Sequence, residues 1–204
     1  MVLSDAHMVN QGLAETRSKA RAMILAGQIY MKTKRVEKPG ELVDSSTEFS
    51  IANRRQYVGR GGIKLNHAIE AFDLDITGVS ALDIGASTGG FTDCLLQRGA
   101  NYIYAVDVGY GQLADRIRSD PRVHVMERTN AREPFPLPAS VNLIVADVSF
   151  ISLKLVLPPS IKHLSAEGYI LVLVKPQFEA GKGEVGSRGV INSSIIHAKV
   201  LADF

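Results

Sequence analysis

A single cysteine, Cys94, stands among the 204 residues. It cannot form an internal disulfide, it excludes zinc clusters built on cysteine, and it makes a reducing cytoplasm the expected setting. Long apolar runs are missing as well. Stretches such as residues 169–174 fall far short of the roughly 20 residues that span a bilayer, and no charged start followed by an apolar core marks a signal peptide. His67, His124, His163 and His197 are scattered without metal-ligand spacing, so no metal is expected. What is present, 46% hydrophobic and 22% charged residues, suits a soluble globular chain and excludes disorder as a description of the whole. The length fits one large domain, or an ordinary domain with a small module.

The net charge of +2 hides an asymmetry. Residues 1–60 carry ten Lys or Arg against six acids, whereas residues 61–204 carry thirteen against fifteen. A basic first part joined to a mildly acidic second part suggests that the first part meets a polyanion; a solvated basic face is the alternative.

Residues 1–10 show no clear period and read either as a frayed start or as part of a helix. Residues 16–26 read as a helix with Thr16 as N-cap and Gly27 at its C-terminal stop, and they place Arg17 and Arg21 one turn apart on one side. Strands follow at 28–32 and 47–51, separated by Lys34-Arg35 and a Pro39-Gly40 turn. Residues 54–60 read as a linker between a domain at 1–53 and another at 61–204. Leu65, Ala68, Ile69 and Phe72 fall at i, i+3, i+4 and i+7, an amphipathic helix opening the second domain. Beyond it, apolar strands at 79–84, Tyr102–Val106, Val123–Met126, Val141–Ala146 and 169–174 alternate with helical stretches, notably 90–98 and 152–164. This pattern predicts an α/β fold with a parallel sheet covered on both faces.

The first strand ends in Asp83-Ile84-Gly85-Ala86-Ser87-Thr88-Gly89-Gly90-Phe91. Small residues there let the backbone approach a ligand, and the following helix offers free N–H groups. Asp107 closes the next strand, where an acid hydrogen-bonds a ribose diol. Ser87 breaks the dinucleotide glycine pattern, and Asp83 would repel a pyrophosphate while welcoming an ammonium. These features favour S-adenosylmethionine over a dinucleotide or a purely structural turn. Its binding set is Asp83, Gly85, Ser87, Gly89, Gly90, Phe91, Asp107, Asn130 and Asp147, with Asn130 placed to read the adenine or else to stabilise its own loop.

Asp147 follows the fourth strand of the second domain and Lys175 the fifth, at the carboxyl edge where such folds place reacting groups. A lysine ending an apolar strand needs a carboxylate partner, and Asp147 is the obvious one. Lys64 offers a third charged group. The prolines that mark enzymes methylating exocyclic amines are absent after Asp147. Cys94 reads as core. Residues 181–189 form a glycine-rich loop beyond Lys175.

Gly59-Arg60-Gly61-Gly62-Ile63-Lys64-Leu65, residues 82–93, 146–150 and 173–179 resemble the TlyA/hemolysin A family, which joins an S4 RNA-binding domain to an FtsJ-like methyltransferase; residues 12–20 and 27–39 resemble its S4 domain. The resemblance implies a Rossmann-like S-adenosylmethionine-dependent fold with a small α+β S4-like domain, and 2′-O-methylation of ribosomal RNA with cytidine as the typical target. Lys64, Asp147 and Lys175 match the first three members of the family's Lys-Asp-Lys-Glu set. The fourth, a Glu on a later strand, has no counterpart up to Phe204, and nor has the fold's final strand pair. Residues 1–10 stand where the S4 domain's Arg-Leu-Asp helix belongs. On this reading a desolvated Lys175 with a lowered pKa accepts the ribose proton, Asp147 orients it, and Lys64 adds positive charge. Arg17, Lys19, Arg21, Lys32, Lys34 and Arg60 are the expected RNA contacts, and ribosomal RNA or a ribosomal subunit is the expected partner. The alternatives are a non-catalytic RNA-binding protein and a membrane-active hemolysin, for which no long apolar or strongly amphipathic helix is present.

Overall fold

A computed structural model describes residues 1–32, 34–51, 56–181, 183–186 and 189–204. Two compact units make up the chain, Met1–Gln56 and Tyr57–Phe204. Arg54 and Arg55, expected in a linker, lie outside the described residues. Residues 57–60, expected in the same linker, belong to the second unit, because Tyr57 is buried in its core.

In the first unit, β1 (Val2–Leu3) pairs antiparallel with β4 (Leu42–Val43), and β2 (Ile29–Met31) pairs with β3 (Lys34–Arg35) and β5 (Phe49–Ile51). Two helices, α1 (Ser4–Asn10) and α2 (Arg17–Leu25), pack around Met8, Ala20 and Ile24. Residues 1–10, left open between a frayed start and part of a helix, form a short strand and a helix. The apolar pattern is broken by Asp5, whose side chain is fully buried beside Arg17 Nη2 at 3.0 Å and Arg21 Nη1 at 3.6 Å. Burial pushes the Asp5 carboxyl up, but the hydrogen bond from Arg17 and the adjoining positive charges hold it below the usual range. Helix α2 starts as expected, with Thr16 Oγ1 accepting from the Lys19 N–H. It stops at Gly27, where φ is +69° and an added Cβ would strike the Arg35 guanidinium.

The second unit is built on a parallel sheet of β6 (Ser80–Ile84), β7 (Tyr102–Val106), β8 (Val123–Met126), β9 (Val141–Ala146) and β10 (Leu164–Val172), in the order β10-β9-β6-β7-β8. Alternate residues feed two cores. Ala81, Ile103, Leu143 and Val145 face α3 (Gly61–Ala71) and α4 (Gly90–Gln97), whereas Leu82, Tyr104, Ile144 and Ala146 share a core with α6 (Leu153–Ile161). Short helices α5 (Asp115–Arg118) and α7 (Pro176–Glu179), then α8 (Ser194–Ala202), complete the unit. Strand β10 begins earlier than the expected 169–174 and ends at Val172: Leu164 already pairs with Val141, and a register shift precedes Tyr169. Cys94 is buried in the first of these cores, as expected. No helix among the described residues is long and apolar enough to cross a membrane.

The strand order reverses direction at β6, with β7 and β8 on one side and β9 and β10 on the other. A crevice outside the carboxyl ends of the strands forms at such a switch point. The site lies there.

Candidate active site

A cleft of about 560 Å³ opens where β6, β7 and β9 end, walled by the turns that follow them and by residues 59–61. Gly85 takes φ +80° and donates its N–H to Val106 O; an added Cβ would stand 3.1 Å from the Asp147 carbonyl oxygen. Only glycine fits that approach. Ser87 adopts φ +49° in the same turn, held because its N–H donates to Asp107 Oδ2 at 2.8 Å. Asp107 Oδ1 accepts from the Gly109 N–H at 2.7 Å, so this one carboxylate fastens the turns after β6 and β7.

The opposite wall is a strap, residues 57–62, lying across the start of α4. The Val58 N–H donates to Asp93 Oδ2 at 2.7 Å, and Arg116 and Gln97 hold the same carboxylate. Gly62 rests against the Tyr57 ring, and Gly90 would touch the Gly62 nitrogen with any Cβ, 3.2 Å away. Glycine at 59, 61, 62 and 90 is what lets two backbones meet here.

Asp83 lies beneath the cleft rather than on its surface. It is fully buried; Thr92 Oγ1 donates to its Oδ2 at 2.6 Å, and its Oδ1 has no hydrogen-bond partner among the described residues. Burial pushes this carboxyl up to about 7, the Thr92 hydrogen bonds oppose it only in part, and the charges of Asp147 and Asp107 push the same way as burial.

At the cleft's edge Asp147 bridges two lysines. Lys175 Nζ stands 2.6 Å from its Oδ1 and Lys64 Nζ 3.9 Å from its Oδ2. The Lys175 side chain is only 18% exposed, so its charge is partly stripped of water and depends on this partner. Lys175 Nζ also donates to Ser149 Oγ at 2.7 Å. Just beyond, Phe150 takes φ +63° and leaves its ring almost wholly exposed, 5.2 Å from that of Phe178.

Gly85, Ser87, Gly90, Phe91, Asp107, Asn130, Asp147, Lys175 and Arg60 all line the cleft. Asp83 and Gly89 stand behind the lining, and Lys64 reaches the site through Asp147. Asn130 Oδ1 accepts from the Arg132 N–H at 3.2 Å. Arg17, Lys19, Arg21, Lys32 and Lys34 belong to the first unit; there Arg17 and Arg21 are engaged by Asp5, and Lys19 pairs with Glu15. Glu179 accepts from Ser152 Oγ and the Leu153 N–H at the start of α6, and Glu184 pairs with Lys199. Asp5, Asp93 and Ser149 went unread in the sequence. The first two are acids buried by arginine partners far along the chain, which no local period reveals. Ser149 stands beside Asp147, and its spacing from that acid was its only signal.

An α/β sheet with a glycine turn at its switch point and a lysine-bridged aspartate at its rim is the plan of a group-transfer enzyme. Residues 57–204 match the FtsJ-like methyltransferase family and residues 5–49 the S4 domain. The chain belongs to the FtsJ-like methyltransferase family. It is 47% identical over 203 residues to the 16S/23S rRNA (cytidine-2′-O)-methyltransferase TlyA of Mycobacterium tuberculosis, which spans 97% of this chain and 76% of that protein. It is 39% identical over 203 residues to Hemolysin A of Brachyspira hyodysenteriae, spanning 97% and 83%. A solved structure from Streptococcus thermophilus, described as a hemolysin, superposes with a TM-score of 0.72 at 43% identity and covers 98% of this chain and 75% of its own.

Proposed function

We propose that this chain transfers a methyl group from S-adenosylmethionine to a ribose 2′-hydroxyl of ribosomal RNA, cytidine being the expected nucleoside. The observation that carries the reading is the Lys64–Asp147–Lys175 arrangement at the rim of a cleft suited to a nucleoside. The cleft's residues fit the cofactor. Asp107, Asn130 and Asp147 give the lining its polar groups, and the buried Oδ1 of Asp83, without a hydrogen-bond partner among the described residues, belongs to a carboxyl whose ionisation a cationic ligand nearby would favour. Asp107, Ser87, Asn130 and Asp147 would hold it, with Asp107 toward the ribose. When bound, it supplies a methyl group already activated by a sulfonium.

The protein's own residues then have three tasks. Lys175, as a neutral amine, takes the proton from the 2′-hydroxyl; only an amine free of its third proton does this. Asp147 keeps Lys175 at the rim and stabilises it once protonated. Lys64 brings a second positive charge to 3.9 Å from the far oxygen of Asp147, so that one carboxylate faces a lysine on each side.

The first unit supplies the RNA grip, with Lys19, Lys32, Lys34, Arg17 and Arg21 as phosphate contacts and Arg60 at the cleft. A single buried Cys94 fits a reducing cytoplasm. Replacing Lys175 with Ala should lower methyl transfer to ribosomal RNA by about 100-fold or more, while calorimetry finds the cofactor Kd within about threefold of wild type. Equal loss of both contradicts the role given to Lys175.

A further inference from the structure

Lys175 meets two oxygens that act on it differently. Asp147 Oδ1 is 2.6 Å away, yet among the described residues that oxygen accepts no aligned hydrogen bond; the contact is an ion pair. Ser149 Oγ, at 2.7 Å, accepts the aligned one. Ser149 lines the same cleft on the segment that leaves β9, two residues beyond Asp147.

A lysine ends in a compact charge on a flexible four-carbon stem, and its amine rotates unless a directional bond holds it. A bare charge partner fixes the distance of the nitrogen far better than its orientation, whereas a hydrogen bond fixes direction because it weakens steeply off axis. A neutral amine carries two N–H bonds and one lone pair. With one N–H directed at Ser149 and the other on the Asp147 side, the lone pair takes the remaining tetrahedral direction.

We infer that Ser149 is a positioning residue for the transfer: its Oγ accepts from Lys175 and thereby aims the lone pair at the hydroxyl that must lose its proton. This rests on the reading of Lys175 as proton acceptor. In the step, the substrate O–H bond breaks, a new N–H bond forms on Lys175 Nζ, and the oxygen uses the freed electron pair to form its bond to the methyl carbon as the donor's C–S bond breaks and that bond's pair stays on sulfur as a neutral thioether. Asp147 attracts the lysine; Ser149 orients it.

The test compares wild type with Ser149→Ala and Ser149→Thr in single-turnover transfer of labelled methyl to ribosomal RNA, beside cofactor binding by calorimetry. Ser149→Ala should slow transfer by about 10- to 100-fold with the cofactor Kd within about twofold, and Ser149→Thr, which keeps the hydroxyl, should recover most of the rate. A readout independent of turnover is acetylation by acetic anhydride, with Lys175 labelling measured against exposed Lys162. Loss of the hydroxyl should raise relative Lys175 labelling about threefold, and threonine should restore the wild-type level. A Ser149→Ala variant with wild-type rate, or with unchanged Lys175 labelling, overturns the proposal. Wild-type protein that transfers no methyl would overturn the reaction reading alone, and the labelling comparison would still decide whether Ser149 holds Lys175.

Discussion

A carboxyl sealed beneath a glycine turn resists ionisation, and Asp83 shows the consequence. Its folded pKa, near 7, lies above the ordinary aspartate value of 3.8. The contribution of this group to stability is therefore full below about pH 4 and is lost as pH rises toward 7, because the unfolded chain gives up its proton first. Asp83→Asn removes the charge and keeps an acceptor for Thr92. In cofactor-free protein it should raise the Tm by several degrees at pH 8 and by much less at pH 5, at about 2–4 °C per kcal/mol for a unit of this size. Scanning calorimetry at the two pH values checks it, and an equal shift at both would remove the buried charge from the account. The acid and the turn were legible from Asp83 and Gly85 alone. That Asp83 would sit under the cleft was not, since its seal comes from Thr92 on the next helix and from packing that sequence spacing does not encode.

Helices and strands were read best where period and chemistry agreed. Strands β7, β8 and β9 fall where their apolar runs predict, and α2 where Thr16 and Gly27 bracket it. Reading failed where a long-range partner overrode local pattern. Helix α1 stood only as one of the open readings of residues 1–10 because Asp5 occupies a core position, made tolerable by Arg17 and Arg21 from α2. Residues 57–60 of the strap read as a linker because its anchors, Asp93 and the Tyr57 ring, act across space. That strap carries a prediction. Alanine is ordinarily the better residue in a helix by about 0.5–1 kcal/mol, but a Cβ on Gly62 would stand 2.3 Å from the Tyr57 ring. Since the ring is buried and cannot swing aside, Gly62→Ala should destabilise the protein by about 1–3 kcal/mol, the usual cost of overpacking, and weaken cofactor binding as the cleft wall shifts. Denaturant melts and calorimetry report both effects; a stabilised variant with unchanged affinity would show that the strap is not tightly seated.

At the scale of the whole molecule, one unit carries the positive charge and the other the chemistry. RNA binding by the full chain should weaken with salt, the logarithm of affinity falling linearly with the logarithm of salt concentration. Lys34→Ala should reduce that slope by about one with no change in Tm. Arg17→Ala should also lower the Tm, because it deprives buried Asp5 of its nearest partner. The two-part plan was visible in the charge asymmetry and in the alternation of strands and helices; the cleft itself came from the meeting of residues 59–61 with the segments that follow all five strands of the sheet, which only the folded chain displays. The most direct measurement is the identity of the product. Ribosomal RNA incubated with the protein and methyl-labelled S-adenosylmethionine, then digested to nucleosides and resolved by mass, should carry the label as a 2′-O-methylated nucleoside, chiefly cytidine. Label found on a base, or no label transferred by the wild-type chain, would contradict the account.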